Sequence, residues 1–349
     1  MSLKKLIQWS KKEFSHLPWR KKRTLYTTLV SEIMLQQTTV STVQKHFARF
    51  INRFPSLEDL ANASEEELLV AWKGLGYYRR ARNLKKIAES LIHDHGGEFP
   101  NVESELRKIP GIGPYTSGAL IGIGMDERAL AVDANLERVI SRLHGIEDQK
   151  GLKLQKKINL LFNENKILYE KDMSYRELNE ALMDLGRVYC QARKVSCGLC
   201  PLSSHCEAFH RGNPLSFPHE KALDKKRSED HVIQVLRLIV MKKDHILAYK
   251  KSEKEWLSGQ FEVPTCLLSS TDKKLIQYPW LKQKVDWAGL PMFKTGITKY
   301  KIENYIQVIS YQEFKTLQFP HPVEWRKYSS ESSNLSTASI KAIQRLKKP

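Results

Sequence analysis

The sequence predicts an all-α module over residues 1–210, a linker over 211–230 and a smaller α+β module over 231–349. Up to about residue 210, apolar residues recur at helical spacing between short loops. Residues 211–230 are rich in charge, Gly and Pro and have little periodicity, which is typical of a linker. Beyond them, the segments 231–240 and 302–310 are β-rich, and Trp, Pro and Gly interrupt the rest.

Individual elements can be predicted within these modules. One stripe of side chains at i, i+4, i+7 and i+11 shares a helix face: Leu25, Leu29, Glu32 and Gln36. Ser64 followed by Glu67 forms a capping-box signal for a helix start. Residues 177–189 predict another helix, and the tail 334–347 returns to helical spacing.

Composition excludes several classes of protein. The chain has 349 residues with 57 Lys or Arg and 39 Asp or Glu, a net charge of +18. No apolar run approaches the roughly 18 to 20 residues that span a bilayer, and the N-terminus lacks a signal-peptide core. Membrane and secreted proteins are therefore not expected. The positive charge attracts polyanions, of which nucleic acid is the commonest, although solubility alone is the competing explanation.

Four of the five cysteines fall within seventeen residues, with the spacing C-x6-C-x2-C-x5-C. They are Cys190, Cys197, Cys200 and Cys206. A secreted disulfide framework is disfavoured by the missing signal peptide. Four clustered thiolates suit either a tetrahedral zinc site or a [4Fe–4S] cluster, and the spacing alone leaves both open.

Residues 106–119 predict a tight turn between two helices. Gly111 and Gly113 surround one apolar residue there, and such a turn bares backbone N–H groups that can hold a phosphate oxygen. Two carboxyls also stand out: Asp133, twenty residues after Gly113, and Glu32, on a helix face that otherwise carries Leu25, Leu29 and Gln36. We expect burial to raise the pKa of Glu32, unless it is a structural carboxyl paired with an arginine.

The cysteine run resembles the cluster loop of the endonuclease III superfamily of DNA glycosylases, and the turn resembles its helix-hairpin-helix motif. Further segments occur in the order found in adenine DNA glycosylases of the MutY type: residues 17–20, 31–38, 74–84, 109–119, 132–139 and 179–186. The resemblance implies a helix-hairpin-helix glycosylase fold over 1–210. It also implies a [4Fe–4S] cluster on the four cysteines of loop 190–206.

The resemblance also implies a role for each matching residue. Glu32 would protonate adenine, Asp133 would stabilise or capture the sugar cation, and Tyr115 and Asn135 would support that step. Gln37 and Tyr77 would be inserted into the base stack, with Gln36 beside the pocket, while Trp19, Arg20 and Glu180 would form the wall that contacts adenine. Relatives with lyase activity carry a Lys at the position of Tyr115, so a monofunctional glycosylase is expected.

Residues 231–349 resemble the Nudix-like domain that recognises 8-oxoguanine in this family. The segment 256–264 matches its W-x-x-G motif, but the glutamate cluster of a Nudix box is missing, so nucleotide hydrolysis is not expected. Where the family has Phe-Ser-His, this chain has Ile297, Thr298 and Lys299. Unlike the histidine, lysine cannot accept a hydrogen bond from the N7–H of 8-oxoguanine. Ala134 replaces a family glycine, which would cost about 1 kcal/mol if that position needed positive φ.

The leading hypothesis is an adenine DNA glycosylase of base excision repair that acts on double-stranded DNA with A:8-oxoguanine or A:G mispairs. We expect a monomer that is cytoplasmic, associated with the bacterial nucleoid, and without a membrane partner. One alternative is a mismatch glycosylase that removes thymine or uracil opposite guanine. The other is a non-catalytic iron–sulfur protein that only binds DNA.

Overall fold

The computed structural model describes residues 3–219, 230–281, 287–328 and 333–346. These residues form two compact units, each with its own buried core. One unit comprises the described residues up to Ala63 and from Gly74 to His219; the other comprises Ser64–Lys73 and the described residues from 230 onward. None of the described helices combines the length and the apolar character needed to cross a bilayer.

The first unit is helical, as the periodicity predicts. Its helices are α1 (Leu3–Phe14), α2 (Pro18–Lys21), α3 (Leu25–Leu35), α4 (Val40–Arg53), α5 (Leu57–Asn62), α7 (Arg79–His95), α8 (Glu103–Leu106), α9 (Pro114–Ala119), α10 (Ala134–His144), α11 (Leu152–Asn163), α12 (Tyr175–Val188) and α13 (Glu207–His210). Helix α6 (Glu65–Ala71), grouped with the second unit, begins at the predicted capping box of Ser64 and Glu67. The predicted helix over 177–189 is confirmed as α12.

A single core joins the first helix to the last long ones. Leu6 of α1, Ile140 of α10, Ile158 of α11 and Leu182 of α12 are fully buried and belong to one apolar cluster. Their spacing on each helix follows the 3.6-residue period, so burying one face of each helix brings the four together. This packing holds the starts of α10 and α12 in fixed positions.

The helical unit continues past residue 210, where the sequence analysis ended it. Phe217 is buried, and its carbonyl accepts a hydrogen bond from Arg142 Nε at 3.0 Å. Lys150 donates its N–H to the His219 carbonyl at 3.0 Å. Long-range contacts of this kind leave no periodicity in the sequence, which explains the early boundary. Residues 220–229 of the predicted linker lie outside the described residues.

The second unit is a sheet-rich α+β structure, as predicted. Its strands are β1 (His231–Ile239), β2 (Met241–Lys242), β3 (His245–Lys250), β4 (Phe261–Glu262), β5 (Thr265–Ser270), β6 (Met292–Ile297), β7 (Tyr300–Val308) and β8 (Glu324–Lys327). One sheet has the order β5-β1-β7-β6, and the other joins β2, β3 and β4, with β8 on β3. The β-rich segments of the sequence are β1 and β7, which pair in parallel. Helix α14 (Tyr311–Thr316) follows β7, and α15 (Thr337–Leu346) confirms the predicted tail helix.

A buried charge cluster lies between the strands of the second unit. Glu262, within the segment 256–264, accepts hydrogen bonds from Arg237 at 2.7 Å and from Lys251 at 2.8 Å. Burial alone would raise the pKa of Glu262, but the two cations lower it to about 2. The two oxygens of this carboxyl, which lies in the segment that resembles the family's W-x-x-G motif, are therefore both engaged in structural ion pairs.

Gly118 of α9 allows that helix to approach the segment that leads to Asp133. A Cβ at Gly118 would lie 2.4 Å from the Leu130 carbonyl oxygen. We expect Gly118→Ala to lower the free energy of unfolding by about 1–3 kcal/mol, because backbone must move to relieve the overlap. Gly113→Ala is the control, since a Cβ there meets nothing within 4 Å. Equal stability of the two variants in chemical denaturation would contradict the close approach.

Candidate active site

A cavity of about 340 Å³ opens in the helical unit, in the size range of small-ligand sites. It brings together seven of the residues singled out in the sequence: Trp19, Arg20, Glu32, Tyr115, Asp133, Asn135 and Glu180. These side chains come from α2, α3, α9, the start of α10 and α12. Gln36, Gln37, Tyr77, Gly111 and Gly113 are not among the residues that line it.

Glu32 is a buried acid in the wall of this cavity. Glu32 is 4 % exposed. Burial raises the pKa of its carboxyl to about 7, even though the hydrogen bond from Tyr115 opposes the rise. Tyr115 donates its hydroxyl to Oε2 of Glu32, while Oε1 accepts no hydrogen bond from the described residues. Glu32 forms no ion pair within the described part of the chain, so the structural alternative of a carboxyl paired with arginine is not found. An acid with this pKa can carry a proton near neutral pH.

Tyr115 lies in the first turn of α9, directly after the predicted hairpin. Burial of its hydroxyl, reinforced by the charges of Glu32 and Asp133, raises the pKa of Tyr115 well above its ordinary value. The phenol therefore stays protonated and remains a donor to Glu32. Its role in the geometry is to fix one oxygen of the acid.

Asp133 is the N-cap of α10. Its Oδ1 accepts the backbone N–H groups of Asn135 and Leu136, each at 2.8 Å, and its Oδ2 accepts Asn135 Nδ2 at 2.7 Å. Three N–H donors and the helix N-terminus stabilise a negative charge on this carboxylate. Ala134 is the first residue of α10 and does not have positive φ, so alanine is not strained there.

The opposite wall is an ion-pair network that the sequence analysis only partly identified. Arg20 Nη1 lies 2.9 Å from Asp184 Oδ2, and Arg20 Nε lies 3.4 Å from Glu180 Oε1. Arg23 also pairs with Glu180. Burial raises the pKa of Glu180, although both arginines oppose the rise. Arg23 and Asp184 were missed because one lies in a basic run typical of a solvated surface and the other in an ordinary amphipathic helix.

Thr28 is a further cavity residue that the sequence did not indicate. It is 2 % exposed, it lines the cavity one turn before Glu32, and its Oγ1 has no hydrogen-bond partner among the described residues. A buried hydroxyl normally finds a partner. The cavity wall therefore includes an unpartnered hydroxyl one helical turn from its acid.

Two loops carry the residues predicted to enter the base stack. Gln37 and Tyr77 are exposed and both have positive φ, 55° and 46°, which is uncommon for residues other than glycine. Gln37 lies between Leu35 and Thr38, which line the cavity. Gln36 is the C-cap of α3, where its carbonyl accepts a hydrogen bond from Arg80.

The predicted hairpin joins α8 to α9. Gly111 has φ +102°, and a Cβ there would lie 3.2 Å from Ile87 Cγ1, so this position requires glycine. Gly113 has an ordinary φ of −95° and caps α9. Ile112 donates its N–H to the Ile109 carbonyl, whereas the N–H groups of Gly111 and Gly113 have no acceptor among the described residues. Two backbone donors are thus available to an anion.

All four clustered cysteines line a second, smaller cavity, together with Arg142. Arg142 is 2 % exposed; its Nη1 lies 3.4 Å from Cys190 Sγ and donates to the Gln191 carbonyl at 2.7 Å. Within the described residues, no three Cys, His, Asp or Glu side chains are arranged to hold a single metal ion. The four thiols therefore share one enclosure.

In the second unit, Thr298 and Lys299 form the two-residue turn between β6 and β7. Thr298 is exposed and has φ 49°, and Ile297 pairs with Tyr300 at the ends of the strands. Lys299 Nζ lies 5.4 Å from the centre of the Tyr300 ring. These side chains form the tip of a hairpin.

Comparisons with known proteins identify the family to which the chain belongs. The family described as "HhH-GPD superfamily base excision DNA repair protein" matches residues 30–164. The chain is 32% identical over 277 residues to the adenine DNA glycosylase of Buchnera aphidicola subsp. Schizaphis graminum, covering 77% of this chain and 74% of that protein. It is 34% identical over 215 residues to the adenine DNA glycosylase of Homo sapiens, covering 59% of this chain and 39% of that protein.

Among solved structures, a thermostable thymine-DNA glycosylase is similar with a TM-score of 0.52 and 28% identity, covering 60% of this chain and 95% of that chain. Its similarity supports the fold of the helical unit. The similarity to the Buchnera protein extends along nearly three quarters of that protein's length. The chain therefore belongs to the adenine DNA glycosylase family, within the HhH-GPD superfamily.

Proposed function

We propose that this protein hydrolyses the N-glycosidic bond of adenine in mispaired duplex DNA during base excision repair. The observation that carries the proposal is the pair of carboxyls in one cavity, of which Glu32 is buried with a pKa of about 7 and Asp133 accepts three N–H hydrogen bonds at the start of α10. A buried carboxyl with a raised pKa beside a second carboxyl in a polar, hydrogen-bonded environment is typical of an acid and an electrostatic stabiliser.

The chemistry follows from the leaving group. An adenine anion leaves poorly, so Glu32 delivers a proton to a ring nitrogen as the bond breaks. Positive charge then grows on the deoxyribose, and Asp133 stabilises it before water completes the hydrolysis. Tyr115 fixes the acid and has no amine that could form a Schiff base. The reaction therefore ends at an abasic site without strand cleavage.

A panel of labelled duplexes tests this function. We expect adenine release from A:8-oxoguanine and A:G duplexes, no release from T:G or U:G duplexes, and no complex trapped by borohydride. Release of thymine or uracil alone would favour the mismatch alternative. Tight duplex binding without release of any base would favour the DNA-binding alternative. The salt concentration must be stated, because phosphate contacts dominate affinity.

Access to a base inside a duplex requires its extrusion, at a cost of a few kcal/mol. Gln37 and Tyr77, which are exposed, are the proposed wedges. The backbone N–H groups of Gly111 and Gly113, which have no acceptor among the described residues, are the proposed phosphate ligands.

We infer that the second unit is a Nudix-like domain and that its turn of Thr298 and Lys299 contacts the base opposite the adenine. The ratio of adenine-release rates on A:8-oxoguanine and A:G duplexes measures that selectivity.

The four cysteines line one cavity, which fits a group bound by all four thiolates, and their spacing resembles that of the family's cluster loop, so a [4Fe–4S] cluster is the proposed cofactor. When bound, the cluster would supply metal–thiolate bonds that rigidify loop 190–206. Arg142 holds the same loop by donating hydrogen bonds to the carbonyls of Gln191 and Ala192.

We expect the Cys200→Ser variant to lose iron and sulfide, as measured by chemical analysis. Cys266→Ser, in the other unit, is the matched control and retains both. Zinc in place of iron and sulfide in the unaltered protein would contradict the proposal.

Tyr115→Phe is expected to shift the pH dependence of adenine release to higher pH. The hydroxyl of Tyr115 lowers the pKa of Glu32, so its removal raises that pKa and keeps the acid protonated at more alkaline pH. The check is the alkaline inflection of the single-turnover rate, which should move above the unaltered enzyme's value. Tyr169→Phe, at an exposed position, should leave the inflection unchanged. An unshifted inflection in Tyr115→Phe would argue against the contact.

A further inference from the structure

Arg80, in the first turn of α7, is buried between the two loops that carry Gln37 and Tyr77. It is 8 % exposed. Its Nη1 donates toward the carbonyls of Ile33 at 2.9 Å and Met34 at 2.7 Å, and also toward that of Gln36. These carbonyls belong to the C-terminal end of α3, where helical acceptors lack partners and a cation is favoured.

The other end of the guanidinium holds the second loop. Nη2 donates to the carbonyls of Leu75 at 2.9 Å and Gly76 at 3.2 Å, and to Thr38 Oγ1 at 2.9 Å. The hydroxyl of Thr38 in turn reaches the Leu75 carbonyl at 3.4 Å. One planar side chain thus ties residues 33–38 to residues 75–76.

Each of these loops carries one exposed side chain in a strained backbone conformation. Gln37 directly precedes Thr38, and Tyr77 directly follows Gly76. Both have positive φ, and the Arg80 guanidinium lies 5.6 Å from the centre of the Tyr77 ring. Surrounding contacts must maintain such conformations, and here one residue makes the contacts on both sides.

We propose that Arg80 is a positioning residue that sets Gln37 and Tyr77 as one preformed wedge, so that a base is extruded into the cavity without first ordering two loops. The inference rests on the proposed function. It goes beyond that function because it gives Arg80, which does not line the cavity, a role in base extrusion and not in the chemical step. A lysine keeps the charge but has one compact ammonium, which cannot span both loops.

Arg80→Lys tests the inference on two substrates under single-turnover conditions. One is a duplex with stacked adenine opposite 8-oxoguanine, and the other is a duplex in which adenine faces an abasic site and is already loosely stacked. We expect a loss of about tenfold or more on the stacked duplex, since a stacked base must be extruded before it reacts, and a loss of less than about threefold on the other duplex. Arg79→Lys, exposed on the same turn, should match the unaltered enzyme on both.

Partial unfolding does not confuse the result, because at a saturating excess of enzyme the single-turnover rate constant is that of the folded enzyme–DNA complex and does not depend on the fraction of protein that is folded. Adding Arg80→Lys to a Gln37→Ala, Tyr77→Ala background should cause little further loss on the stacked duplex, since the arginine acts through those two residues. Equal losses on both substrates, or additive effects in this cycle, would overturn the inference. If the unaltered enzyme released no adenine at all, the proposed function would fail instead.

Discussion

Glu32→Gln is expected to lower the single-turnover rate of adenine release by about 100- to 10,000-fold, the range of a positioned general acid. The amide keeps the shape of the side chain and can still accept the hydroxyl of Tyr115, so the cavity is preserved. Only the transferable proton is lost. Duplex binding, measured by fluorescence anisotropy at a stated salt concentration, should therefore persist.

Stability provides an independent check on the same variant. Folding raises the pKa of Glu32 from its ordinary 4.5 to about 7. Below pH 4.5 the carboxyl is therefore protonated in both the folded and the unfolded protein, and it adds no pH dependence to the free energy of unfolding there. Between about pH 4.5 and pH 7 the carboxyl ionises in the unfolded chain but stays protonated in the folded protein, so the unaltered protein loses stability as the pH rises through this range, whereas Glu32→Gln does not. The variant should therefore gain relative stability between about pH 4.5 and pH 7, with no further change at higher pH. Glu98→Gln, an exposed control, should change neither stability nor rate, and a fully active Glu32→Gln enzyme would exclude acid catalysis by this residue.

Asp133→Asn is expected to lower adenine release by about 100- to 1,000-fold, the range for removal of one electrostatic stabiliser of a transition state. Asparagine caps helices about as well as aspartate, so α10 should still begin at Ala134 and stability should change little. The loss is then attributable to the missing negative charge. Rates at saturating enzyme, with circular dichroism of each variant, separate the two effects.

Asp59→Asn is the matched control for this charge removal. Asp59 is part of the capping box of α5 and does not line the cavity, so the control changes a helix-capping carboxylate of the same unit. It should release adenine at the normal rate. If Asp133→Asn were equally active, the sugar cation would be stabilised elsewhere, and the assignment of Asp133 would be wrong.

Much of the fold could be predicted because its signals are local. The apolar spacing around Glu32 predicts α3, the capping box of Ser64 predicts α6, and the β-rich segments predict β1 and β7. Each signal depends on neighbours within a few residues along the chain. The raised pKa of Glu32 also follows from its apolar face.

The rest depends on residues that are distant in sequence. Arg23 and Glu180 are 157 residues apart, so nothing near Arg23 indicates its partner. Arg80 looks like one of several arginines in a basic segment, and only the packing of two loops around it reveals six acceptors. The close approach at Gly118 and the docking of residues 211–219 also arise from tertiary packing, which a pattern in one segment does not encode.

The most direct test of the account is the pH dependence of single-turnover adenine release from an A:8-oxoguanine duplex. With Glu32 as the acid, the rate should be level in mildly acidic solution and fall by about tenfold per pH unit above its pKa of about 7. The residual rate of Glu32→Gln should lack this decline. A rate in the unaltered enzyme that stays constant well above pH 7, or an equal decline in the variant, would contradict proton delivery by Glu32.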